Sequence, residues 1–140
     1  GNVEHATLSY IIRDHDRKRF EKRKAFVQKA AEWTNERYGE GVVTATINDQ
    51  YYNMREKIEP VPHVVDIVIE AMKQCNIPSK VRAIRGGTDG AQLSFMGLPC
   101  PNIFAGGLNF HGPHEFLPIP SLKKASELVV KIIELTAQRG

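Results

Sequence analysis

Two side chains in the stretch Arg85–Phe116, RGGTDGAQLSFMGLPCPNIFAGGLNFHGPHEF, are suited to chemistry: the guanidinium of Arg85 and the imidazole of His111. His111 follows Gly106, Gly107 and Asn109 and precedes Gly112, so the chain can turn sharply around it. A neutral imidazole in such a loop can bind Zn²⁺ at about 2.0–2.1 Å. Glu115 is near enough to orient a neighbour by a hydrogen bond. Local sequence alone favours the plainer alternative, a surface histidine bonded to a carbonyl. His114 forms a His-x-x-His spacing with His111, but Gly112 and Pro113 within it exclude a helix and leave the spacing without fixed geometry. His5, His15 and His63 stand singly in polar surroundings and read as solvated.

Arg85 opens RGGTDG. Gly86 and Gly87 admit close approach of a ligand or a backbone, and a guanidinium there can hold a carboxylate at two points. Thr88 and Asp89 can equally satisfy the loop's own amides, so a structural turn with an Arg–Asp pair stands level with the binding reading. The run is no P-loop, because the GK[ST] ending is missing. Ser121–Lys124 fits S-x-x-K without the companion S-D-N or K-T-G motifs, and Ser121 reads as a helix cap. A hydrolytic metal site needs three protein ligands and an open position. HxD, HExxH and paired glutamates are all missing from the sequence, so any metal on His111 takes most of its ligands from elsewhere. No catalytic residue is assigned within the chain.

The elements that must position these residues come next. Residues 6–13 and 42–49 alternate apolar and polar types and read as strands. Between them Arg17–Tyr38 carries Phe20, Val27, Ala31 and Thr34 on one helical stripe, with Asp14 or Asp16 as cap and Gly39 and Gly41 as stops. This predicts a β-α-β unit. Pro60 and Pro62 punctuate a connection. A second helix follows over 63–76 on Val64, Ile67, Val68, Ala71 and Cys75. Short strands are expected at 80–84 and 102–105, and a last helix with Ser121 as N-cap and a stripe of Leu122, Ala125, Val129, Ile132, Ile133 and Thr136. The fold class is therefore α/β, in two parts, 1–52 and 53–140.

Bulk properties bound the function. The 140 residues carry a net charge of +3, too mild to argue for nucleic acid. RKRFEKRK at 17–24 reads as a solvated helix face. No apolar run approaches the length of a membrane span, and no secretion signal opens the chain. The chain begins without Met, which is expected of a piece cut or processed from something longer. Cys75 and Cys100 have no CxxC spacing and read as small buried hydrophobes of a reducing compartment, hence the cytoplasm.

IRGGTDGAQLSFMGLPCPNIFAGGLNFHGPHEF resembles the C-terminal part of the tripeptide aminopeptidases of the M20 family of dinuclear zinc peptidases. NVEHATLSYIIRDHDRKRFEKRK, INDQYYNMREKIE and IIELTAQR extend the likeness over essentially the whole chain. The resemblance implies that the β-α-β unit is the second half of a lid domain that mediates homodimerisation. Residues from about 53 would be the C-terminal segment of the zinc-bearing catalytic domain. It implies two zincs in the complete enzyme, with His111 as the final ligand and His114 a non-ligand. It implies that Arg85 binds the free carboxylate of a tripeptide substrate, and that the other ligands and the general base lie on an N-terminal part of the parent chain. Leu108 and Phe110 depart from the tyrosines expected beside the ligand, which alters the pocket wall. The fragment alone is expected to be inactive. Two alternatives remain at this point: a non-enzymatic module that binds peptide carboxylates or a partner, and a small hydrolase built on His111, His114 and Glu115.

Overall fold

The computed structural model describes residues 3–84 and 86–139. The chain divides into two compact units, Gly1–Asn53 and Met54–Gly140.

The first unit is built on one helix, α1 (Arg17–Tyr38). Asp16 caps it, its carboxylate accepting the Arg19 N–H at 2.8 Å. Asp14 buttresses the entry: it accepts from the Asp16 N–H at 3.0 Å and from Arg23 Nε at 2.9 Å. The Asp16 N–H, then Arg23, hold the Asp14 carboxyl below its usual range. Gly39, at φ 120°, returns its N–H to the Asn35 carbonyl and ends the helix. The predicted stripe holds, with Ala31 buried and Phe20, Val27 and Thr34 partly so.

The β-α-β unit is not formed. Residues 6–13 and 42–49 join no ladder, and the β-bridge found among the described residues, Leu108 with Phe116, lies in the other unit. Alternation marks a strand only when another strand takes its N–H and C=O groups and a second layer covers its apolar face. Neither exists among the described residues: Leu8, Tyr10 and Ile11 stay largely exposed. Side chains tether the returning segment to α1 instead. Asn35 grips Val43 from both sides, its Nδ2 donating to the carbonyl at 2.9 Å and its Oδ1 accepting the N–H at 2.8 Å. Lys24 Nζ lies 2.9 Å from each carboxylate oxygen of Asp49, and the Tyr52 hydroxyl donates to the same carboxylate. The Arg17 guanidinium stacks 3.9 Å above the Tyr52 ring.

The second unit holds α2 (Arg55–Ile58), α3 (His63–Gln74), α4 (Asp89–Phe95) and α5 (Ile119–Ala137). α3 packs on α5 through Ala71, Leu128 and Leu135, with Ile67, Met72, Ile77, Phe104 and Ile132 around them. Lys124 of α5 donates to the Cys75 carbonyl at the end of α3. The expected stripe on α5 is corrected: Leu128, Ile132 and Leu135 face α3, whereas Val129 and Ile133 point outward. α5 is apolar on more than one side, so periodicity offers two stripes and the neighbouring helix selects one. Ser121 is not the cap either. The helix starts at Ile119 after Pro118, with Pro120 in its first turn, where a missing N–H costs nothing. Residues 80–84 and 102–105 form no strands. Five helices and one bridge thus replace the expected α/β arrangement among the described residues.

Candidate metal-ligand loop

The glycine-rich stretch contains a helix that its composition conceals. Thr88 caps α4, its hydroxyl accepting the Ala91 N–H. Gly90 is required by proximity: a Cβ there would stand 2.5 Å from the Cys100 carbonyl and 2.9 Å from Asn102 Oδ1. Ser94, a polar residue that is almost fully buried, fastens the same contact. Its hydroxyl donates to the Gly90 carbonyl at 2.7 Å and accepts the Cys100 N–H at 2.9 Å. Asn102 Nδ2 completes it by donating to Thr88 Oγ1 at 3.2 Å. Residues 100–102 are thereby locked to α4, and the chain leaves them toward the His111 loop.

That loop is closed by two main-chain bonds between Leu108 and Phe116, 2.9 and 3.2 Å. Within it the Gly112 N–H donates to the Asn109 carbonyl at 3.0 Å and the Glu115 N–H to the Gly112 carbonyl at 3.2 Å. Asn109 Nδ2 donates to the His114 carbonyl at 3.3 Å. Asn109 and His111 both take positive φ, 54° and 65°. For residues with a Cβ this conformation costs roughly 1–2 kcal/mol each. The Glu115 carboxylate accepts the His111 N–H at 2.9 Å. A bond of this kind contributes about 0.5–1.5 kcal/mol, enough to offset much of the strain at His111. The loop's root is fixed on α5: Gly106 has φ 83°, and a Cβ on it would lie 2.7 Å from Ser121 Cβ.

The His111 imidazole projects exposed from this frame and makes no hydrogen bond among the described residues. The ring lies at the surface, as the plainer alternative has it, without the carbonyl bond among the described residues. Beside the loop lies an open hollow of about 290 Å³ lined by Ala105, Gly107, Phe110, Glu115, Phe116 and Leu117. His114 is likewise exposed. No group of three or more His, Cys, Asp or Glu side chains among the described residues can hold a metal ion. The described residues therefore form no complete metal site of their own, and a metal at His111 would need ligands from elsewhere. Arg85 lies outside the described residues. Residue types alone did not reveal Ser94 as the pin of the site's scaffold; Thr88 as a cap with the acidic Asp89 in the first turn was the signal for the helix that carries it.

No family model matches the chain. Among curated proteins, peptidase T of Parabacteroides distasonis is 59% identical over 140 residues, all of this chain and 34% of that protein. Peptidase T of Clostridium novyi is 56% identical over 135 residues, 96% of the chain and 33% of the relative.

The chain matches the C-terminal portion of peptidase T.

Peptidase T of Bacillus licheniformis gives the same result, 56% identity over the whole chain. The chain spans about a third of the length of the curated relatives it matches, 34% for P. distasonis and 33% for C. novyi. The matched region covers both compact units and the loop that holds His111.

Proposed function

We propose that the chain is the C-terminal part of a zinc-dependent tripeptide aminopeptidase, which removes the N-terminal residue of tripeptides, and that His111 is one ligand of its zinc pair. The single observation that carries this reading is the exposed imidazole of His111, without a hydrogen bond among the described residues, on a hydrogen-bonded loop in a chain 59% identical to a peptidase T. When bound, zinc would supply a polarised water as the nucleophile. The chain's own residues do the positioning. Asn109, Gly112 and Glu115 hold the loop backbone, His111 offers a ring nitrogen, and the neighbouring hollow offers an apolar wall of Phe110, Phe116 and Leu117. Arg85 is assigned to the substrate's free carboxylate, on the motif RGGTDG.

By itself the chain would bind no zinc tightly and turn over no peptide, since His111 has no companion ligands among the described residues. The complete enzyme is proposed to act as a cytoplasmic homodimer, paired through the unit that carries α1. No helix of the described residues is long and apolar enough to cross a membrane.

The test is His111→Ala in the full-length protein. Zinc content should fall and tripeptide hydrolysis should collapse. Retention of both zincs and of turnover would overturn the assignment. Arg85→Ala should raise KM for tripeptides more than it lowers kcat, and unchanged kinetics would remove its role. Peptide binding without turnover in the zinc-loaded full-length protein would favour a carboxylate-binding module.

A further inference from the structure

We infer that Glu115 is a positioning residue: its carboxylate, by accepting the His111 main-chain N–H, holds that residue in the left-handed conformation from which the imidazole is presented. The inference rests on the reading of His111 as a metal ligand.

The geometry is specific. Residues 108–116 form a closed excursion, and its other internal bonds join Gly112 to Asn109, Glu115 to Gly112, and Asn109 to His114. The Asn109–Gly112 bond closes a turn with His111 at its third position. Among the described residues the His111 N–H itself is held by the Glu115 side chain, at 2.9 Å. His111 has φ 65° and a Cβ, so its backbone is inclined to relax toward negative φ. Such a rotation would swing the Cβ and the ring with it. Glycine at 111 could adopt the turn freely but would carry no ligand. The turn bond alone would suit glycine best at this position, and Glu115 adds a second hold that favours the same conformation for a residue with a side chain. Groups outside the first ring of ligands commonly change metal affinity in this way, usually through the ligand's second ring nitrogen. Here the hold is on the main chain, so both ring nitrogens stay available.

The experiment uses the full-length protein with Glu115→Ala, Glu115→Gln and His111→Ala. Zinc affinity is read by chelator competition, and deuterium uptake over 108–116 is measured on the zinc-free protein. Glu115→Ala should weaken the affinity for one zinc roughly tenfold and speed amide exchange within 108–116, with the melting temperature nearly unchanged. Glu115→Gln retains an acceptor oxygen and should restore most of both. Loss in Gln as severe as in Ala would overturn the inference, because charge or direct ligation, not the hydrogen bond, would then be at work. Unaltered exchange and zinc affinity in Glu115→Ala, beside zinc loss in His111→Ala, would sink the role of Glu115 alone. Full zinc retention in His111→Ala would instead overturn the ligand reading.

Discussion

Replacing Ser94 by alanine tests how the scaffold beneath the loop is held. The hydroxyl is almost fully buried and makes two bonds, 2.7 Å to the Gly90 carbonyl and 2.9 Å from the Cys100 N–H. The Gly90 carbonyl keeps its place in the helix when the hydroxyl goes. The Cys100 N–H does not, and an unsatisfied, partly buried donor costs about 1–3 kcal/mol. With about 0.5–1.5 kcal/mol for the first bond, the expected loss is on the order of 2 kcal/mol, most of it from the stranded N–H. For a protein of this size that lowers the melting temperature by roughly 4–8 °C. Urea unfolding of the Ser94→Ala chain against wild type measures it. Ser126→Ala is the control: its hydroxyl donates to Leu122 of its own helix at an exposed site, and the change should stay within about 0.5 kcal/mol. If the two variants unfold alike, Ser94 is not the pin.

Three further outcomes are expected. Gly90→Ala adds a methyl 2.5 Å from the Cys100 carbonyl; overpacking of this kind costs roughly 1–3 kcal/mol and should outweigh the gain in helix propensity, so a chain stabilised in thermal melts would contradict the contact. Gly106→Ala meets both an unfavourable φ of 83° and the Ser121 side chain at 2.7 Å, and should loosen the His111 loop, visible as faster amide exchange over 106–116. Lys24, then Tyr52, hold the Asp49 carboxyl below its ordinary value of 3.8. A depressed folded-state value gives stability that is complete above that ordinary value and is lost as pH falls through the lower one. The Tyr52 environment should therefore hold to about pH 4 and change below it, and Asp49→Asn should abolish that acid transition in tyrosine fluorescence.

What the sequence disclosed follows from how local each signal was. α1 was legible because its cap, its stripe and its glycine stop all lie within the segment itself. α3 was legible from its stripe, with Ala71 and Cys75 buried as the spacing required. The strands were not, because pairing depends on partners that no alternation pattern specifies. α4 was hidden by Gly86, Gly87 and Gly90, which suggest a loop, although Gly90 is there for the closeness of the Cys100 carbonyl. At the site, His111 and Glu115 were visible as types. Their bond was not, since a carboxylate four residues along suggested an imidazole partner and the main-chain N–H took it instead.

The bridge between Leu108 and Phe116 also bears on the order of assembly. Its two ends are close in sequence, so closure carries little entropic penalty and belongs to the hairpin timescale of roughly 1–10 μs. The α3–α5 contact joins residues far more distant along the chain and should come later. The loop's closure is then an early, reversible event, marginal on its own until α5 arrives to pack against Gly106 and hold it.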